Sequence, residues 1–174
     1  YSLPDDTVVA AVGWADALST LARKRGDLEF VIIDTDDNAD YHIDRYIDEG
    51  QNIVTVDAEA TAQALFGASH LLVSFDALGP EYGLASIGSF PAAAVARHLD
   101  VPVWGIASIG VSLNDRMYGG LTRRWNEQTT DPRYLRTLEE VPTTLVDQVI
   151  TTAGLVTPEQ AVQAGGCPIV AELF

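Results

Sequence analysis

The sequence holds one cysteine, Cys167, one methionine and one lysine, Lys24. A single thiol excludes an intrachain disulfide framework and any cysteine-based zinc cluster. It suits a reducing compartment, so a cytoplasmic location is expected. Positive charge is scarce as well: ten Lys and Arg stand against 25 Asp and Glu, a formal net charge of −15. That balance excludes direct non-specific nucleic-acid binding, which needs a basic face to neutralise phosphates. No apolar run reaches the ~20 residues of a membrane helix, and the first residues show neither the basic start nor the apolar core of a signal peptide. No membrane contact is expected. What is present is a composition 47% hydrophobic over 174 residues, too apolar for a disordered acidic tail and the size of one domain. The surplus of acid repels itself at low salt and is screened by concentrated salt. It points to a halophilic source, or else to an ordinary acidic protein from a GC-rich genome.

Short apolar runs alternate with amphipathic stretches. Val8 to Val12 reads as a buried strand ending at Gly13, and Asp16 as the cap of a helix to about Arg25 with Leu18, Leu21 and Ala22 on one side. Phe30 to Ile33 is a second strand, and Tyr41 to Glu49 a helix. Ile53 to Val56 is a third strand, and Ala58 to Phe66 a helix with Ala62, Leu65 and Phe66 inward. Leu71 to Val73 is a fourth strand, followed by a Gly-rich loop. Phe90 to Leu99 is a helix and Val101 to Ile106 a fifth strand. Asn114 to Arg136 reads as a polar loop or arm, Leu145 to Ile150 as a short strand, and Pro158 as the start of a terminal helix. Unalternating strands separated by helices predict an α/β fold: a Rossmann-like, doubly wound, mainly parallel sheet with helices on both faces. Ligands of such sheets sit beyond the carboxyl ends of the strands. That rule selects Gly13 to Asp16, Asp34 to Asp40, Asp57, Ser74 to Gly88 and Ala107 to Asn114.

In the order Asp57-Ala58, Gly67-Ala68-Ser69-His70, Asp76, Ser86-Ile87-Gly88-Ser89 and Val101-Pro102-Val103, the sequence resembles one family. Its members are the regulatory subunits of initiation factor 2B, methylthioribose-1-phosphate isomerase and ribose-1,5-bisphosphate isomerase. Val141-Pro142, Val146-Asp147 and Ile150 to Gly154 resemble its closing pattern. The resemblance covers roughly Thr7 to Pro158 and implies the C-terminal Rossmann-like half, residues 1–174 forming one domain with no counterpart of the family's N-terminal helical domain. The chain starts at Tyr1, and the alternative that it is one domain of a longer protein stays open.

The departures from the family's pattern bear on function. The isomerases pair a cysteine after the first strand with an aspartate after the fourth. Asp76 matches the aspartate, but Gly13-Trp14-Ala15-Asp16 holds no cysteine. The family's phosphate-holding Arg-Pro is replaced by Asp36-Asp37, and its Asn-Lys by Ala85-Ser86. An acid in place of an arginine repels a phosphate dianion. The resemblance therefore implies a non-catalytic or divergent binding or regulatory protein. The alternative is an aldose–ketose isomerase of a phosphorylated pentose with Asp76 as acid or base. The expected ligand is a phosphorylated small molecule, and neither cofactor nor metal is expected.

Each candidate residue has a plainer reading beside its functional one. Asp76 is the catalytic candidate, or a turn aspartate bonded to its own backbone. Ser86, Gly88 and Ser89 hold an anion at a helix start, or only cap it, with Arg116 as a further anion partner. Gly13 and Trp14 border the pocket, and the indole either caps it or packs against Trp104. Asp34, Asp36, Asp37, Asp40, Asp57 and Asp76 suit a hard cation, or form a hydrated acidic rim. His42, His70 and His98 show no ligand spacing and read as surface or packed residues.

Family members pair through this half, so the resemblance implies a homodimer. The segment from Ala107 to Arg136 mixes Ile109, Val111, Met117, Tyr118, Leu121 and Trp125 with five arginines, a composition suited to an interface. A two-fold contact near Tyr118 to Trp125, burying at least ~1,000 Å² in total, is one reading. The same segment folding back over its own sheet, or standing as a mobile loop, is the other.

Overall fold

The apolar runs become strands because both of their faces are covered, and neighbouring side chains along each strand enter different layers. The computed structural model describes residues 3–35, 51–128 and 137–164. The first unit is β1 (Val8–Val12), α1 (Asp16–Lys24) and β2 (Glu29–Asp34). β3 (Asn52–Asp57) leads through a 3-10 turn (Ala58–Ala60) into α2 (Thr61–Phe66). Next come β4 (His70–Leu78), β5 (Tyr82–Ser86), α3 (Ser89–His98) and β6 (Val103–Ile106). α4 (Asp115–Gln128), β7 (Leu138–Pro142) and a second 3-10 turn (Thr143–Leu145) follow. The last elements are β8 (Gln148–Thr151), β9 (Gly154–Val156) and α5 (Pro158–Ala164). The helix expected over 41–49 lies outside the described residues.

The main sheet has the order β3-β2-β1-β4-β6-β8-β9, parallel except for β9. This is the doubly wound, Rossmann-like arrangement expected from the sequence. Val9 and Ala11 of β1 pack with Phe30, Ile32 and the Leu18–Ala22 side of α1. Ala10 and Val12 enter the opposite layer, with Ile33, Leu65 of α2, Ala92 and Ala96 of α3 and Ala161 of α5. Helices therefore cover both faces.

Several local expectations change. In the segment 58–66 the 3-10 turn sets the helix phase. Leu65 and Ala64 pack inward, whereas Ala62 is exposed and Phe66 is 83% exposed. Asp16 is the first helical residue of α1 rather than its cap. Ala15 takes that position without a side-chain bond. The fifth strand begins at Val103, and the strand expected over 145–150 divides into a 3-10 turn and β8. As far as Gln128 the polar segment after Asn114 is a helix, whose first turn is capped as the Asn114 side-chain oxygen accepts the Met117 N–H at 3.0 Å, and residues 129–136 lie outside the described residues. Tyr118, 7% exposed, and Trp125 lay α4 against Ala77 and Leu84.

The Gly-rich stretch expected as a loop is a strand, and it changes the architecture. Up to Ser74, β4 pairs in parallel with β6. From Phe75 to Leu78 it pairs antiparallel with β5, which in turn pairs antiparallel with β7. β4 thus belongs to two sheets, and its register shifts between Phe75 and Ala77. The Phe75 ring sits at the fork, buried between two glycines: a Cβ on Gly83 would lie 2.5 Å from it and one on Gly105 2.6 Å. Glycine is required at both positions for space. Gly83→Ala and Gly105→Ala are each expected to cost about 1–3 kcal/mol by overpacking. In a Phe75→Leu background the cost of Gly83→Ala is expected to shrink, as a double-mutant cycle by urea unfolding would read. An equal cost in both backgrounds would show that the ring does not hold the fork.

Candidate functional site

β1 leads on to β2, and β4 to β6, which lies on the other side of β1 in the sheet. The chain leaving β1 and the chain leaving the parallel half of β4 diverge, and the crevice between them is where ligands of this topology bind. A cleft of about 410 Å³ occupies that crevice. Its polar lining is Trp14, Asp16, Ser74, Asp76, Ser86 and Ser108.

Gly13 turns the chain out of β1 at φ +61° while its N–H donates to the Ile33 carbonyl at 2.9 Å. The turn brings Trp14 back over the start of α1, where the indole N–H donates to Ser19 Oγ at 3.0 Å. The indole lines the cleft and also packs beside the apolar cluster that includes Trp104.

Asp76 occupies the register shift of β4. With Phe75 and Ala77 both buried, the bulge turns the intervening Asp76 outward, where it is exposed at the cleft. Among the described residues no side chain hydrogen-bonds or ion-pairs with it. Partial desolvation by the surrounding walls pushes its pKa above the ordinary aspartate value. Ser86, the last residue of β5, also lines the cleft.

Gly88 and Ser89 are not part of the cleft lining. Gly88, at φ +91°, passes close to the end of β2, where a Cβ would lie 2.5 Å from Thr35 Cγ2. Ser89 is buried, at 1% exposure, as the first residue of α3. The start of α3 already holds an anion from the chain itself: Glu139 Oε1 of β7 accepts the Phe90 N–H at 2.8 Å. The Ile87 N–H is likewise engaged, to the Thr137 carbonyl at 2.9 Å.

A second, larger cleft of about 1130 Å³ shares Asp76 with the first and runs along α4, where Arg116, Arg123 and Arg124 line it. Sequence reasoning did not single out Ser74, Ser108, Arg123 or Arg124 for this purpose, although the strand-end rule covers the two serines. Of the histidines, His70 lies at the start of β4, the end of the strand remote from Asp76. There its ring packs 4.3 Å from that of Trp104, and burial pushes its pKa down. His98 is exposed at the end of α3, and His42 lies outside the described residues. Asp34 and Asp57 are register partners on β2 and β3, whereas Asp36, Asp37 and Asp40 fall outside the described residues. Among the described residues no group of three His, Cys, Asp or Glu is placed to hold a metal ion, and no helix is long and apolar enough to cross a membrane.

The first cleft thus offers carboxylates and hydroxyls, a donor–acceptor lining suited to a hydroxyl-rich molecule. The raised pKa of Asp76 means that the folded state binds its proton more tightly than the unfolded chain. Stability is then lost as pH rises from the ordinary aspartate range through the raised value. Asp76→Asn is expected to raise the melting temperature at pH 7 and to leave it unchanged at a pH below both values. A variant equally or less stable than the parent at pH 7 would contradict the desolvation of this carboxyl.

No protein-family model matches the sequence, and no curated protein matches it. Solved structures do match its fold. The delta subunit of translation initiation factor eIF-2B from A. fulgidus superposes with a TM-score of 0.71 at 14% identity, over 92% of this chain and 58% of that one. For 5-methylthioribose 1-phosphate isomerase from Pyrococcus horikoshii OT3 the TM-score is 0.71 at 17% identity, over 94% and 55%. The tetrameric eIF2B-beta2-delta2 complex from C. thermophilum gives 0.66 at 14% identity, over 92% and 53%. The chain therefore spans somewhat more than half the length of each of these proteins and has the Rossmann-like fold found in eIF2B subunits and in 5-methylthioribose 1-phosphate isomerase.

Proposed function

We propose that this chain is a binding or regulatory protein of the eIF2B-subunit type, which holds a hydroxyl-rich, phosphorylated small molecule in the β1–β4 cleft without converting it. The observation that carries the reading is the pairing at the mouth of that cleft. By the sequence resemblance Asp76 matches the isomerases' aspartate, whereas the loop after β1 that carries Trp14 holds no cysteine. An indole whose N–H is already donated to Ser19 supplies no proton at neutral pH. Aldose–ketose conversion needs a proton removed at one carbon and delivered elsewhere, so an acid–base pair reduced to one member supports binding over turnover.

One observation favours the second reading. The raised pKa of Asp76 brings the carboxyl nearer to the range in which a carboxylate exchanges protons with substrate. Asp16, the other carboxylate among the described lining residues, would then be the partner in proton transfer. In that case the chain is an isomerase of a phosphorylated pentose with rearranged chemistry.

Self-association belongs to the same proposal. Tyr118 and Trp125 are engaged with their own sheet, which leaves Leu121 and Ile109 as the exposed large apolar side chains that the described part of this segment offers a second copy. The protein is to be incubated with ribose-1,5-bisphosphate and with methylthioribose-1-phosphate, with binding read by calorimetry and conversion by NMR. Binding without conversion is expected, from a particle that light scattering reads as a dimer. Conversion abolished by Asp76→Asn would replace the binding reading with the isomerase one, and a monomer would remove the dimer from it.

A further inference from the structure

The first cleft explains how hydroxyl groups would be held, but it leaves the anionic end of the ligand without a partner. Among the described residues no lysine, arginine or histidine lines it. The helix start that would have served an anion, that of α3, is occupied by Glu139. On a chain of net charge −15, a phosphate approaching the cleft meets long-range repulsion, and only a local concentration of positive charge offsets it.

Such a concentration lies on the other side of Asp76. Three of the chain's nine arginines, Arg116, Arg123 and Arg124, line the α4 cleft. Their guanidinium groups outnumber the Asp76 and Asp115 carboxylates on the same lining. Arg116 and Arg123 are seven residues apart, two helical turns, and so project from one side of α4. Between them stand Gly119 and Gly120. Glycine pairs weaken a helix interior, and packing does not require this one, because a Cβ at either position would meet nothing within 4 Å. The glycines leave a strip of helix without side chains between the arginines, open for at least 4 Å around the position of each missing Cβ. Since Asp76 lines both clefts, a ligand with a hydroxyl-bearing part and an anionic end can occupy the two at once.

We propose that the α4 cleft is a phosphate subsite, in which Arg116, Arg123 and Arg124 take the anionic end of a ligand whose hydroxyl-bearing part lies over Asp76; this rests on the reading of the first cleft as a ligand site. Guanidinium suits the task because its planar fork donates two charge-assisted hydrogen bonds to neighbouring phosphate oxygens.

Calorimetry with pyrophosphate, ribose and ribose 5-phosphate separates the subsite from the reading on which it rests. It should be run in the lowest salt that keeps the circular dichroism spectrum native. The parent protein is expected to bind pyrophosphate, and Arg123→Ala/Arg124→Ala to bind it at least about tenfold more weakly, the scale of losing charge-assisted bonds, with an unchanged melting temperature. Lys24→Ala, which removes one positive charge from α1, controls for net charge and is expected to bind pyrophosphate as the parent does. Ribose 5-phosphate is expected to bind more tightly than either pyrophosphate or ribose, and to lose that advantage in the arginine variant. Pyrophosphate affinity unmoved by the double substitution would overturn the subsite, even if ribose 5-phosphate still binds. Arginine-dependent pyrophosphate binding with no gain from the ribose portion would uphold the subsite and remove the first-cleft reading. No pyrophosphate binding, together with a change of oligomeric state in the arginine variant, would assign these side chains to a partner contact and overturn the proposal. Should the double variant lose its native spectrum, Arg123→Gln/Arg124→Gln, which keeps polar side chains on α4, replaces it with the same expected results.

Discussion

One aromatic ring holds two sheets together. Phe75 lies where β4 leaves the parallel sheet and enters the antiparallel one, wedged between glycines of β5 and β6. The ring closes the space between strands that belong to different sheets, and the close packing of protein interiors leaves it little latitude. Its position also dictates that of its neighbour. With Phe75 and Ala77 both buried, the bulge presents Asp76 to the cleft. The residue with most of the site's chemical potential is thus placed by a packing constraint on the residue before it.

The charge distribution follows from the same architecture. The first cleft collects carboxylates and hydroxyls from the ends of β1, β4, β5 and β6, while α4, laid over the second sheet by Tyr118, carries arginines beside it. Tyr118 is held from two directions: its ring fills the space over Gly79, and its hydroxyl donates to Glu140 Oε1 at 3.2 Å. Burial and that neighbouring carboxylate push its pKa well above the ordinary tyrosine value, so the hydroxyl remains a donor throughout the physiological range. The α4 helix is therefore fixed relative to Asp76 through the second sheet.

The parallel sheet was legible in the sequence because strands covered on both faces carry unbroken apolar runs, as Val8 to Val12 and Phe30 to Ile33 do. The second sheet was not. β5 contains Gly83, whose purpose is space for Phe75, and a glycine among small residues carries no periodic signal. Helix α4 was hidden for a related reason: Gly119 and Gly120 break the pattern of a helix former, and only the Asn114 cap gave a local cue. The inward placement of Phe66 failed because a 3-10 turn before α2 shifted the phase of a six-residue helix. For the site, the rule that ligands gather at strand ends selected the segments that line the first cleft. The Glu139 contact to α3, made across 49 residues of sequence, and the approach of α4 to Asp76 depend on the second sheet and had no signature along the chain.

The central claim is that the crevice between β1 and β4 is the ligand site. Amide and indole chemical-shift mapping by NMR, with a phosphorylated pentose added to the folded protein, tests it most directly. The account predicts shifts at the Trp14 indole N–H and at the amides of Asp76, Ser86 and Ser108. Shifts confined to the opposite ends of the strands, around His70 and Trp104, or no shifts at saturating ligand, would contradict it.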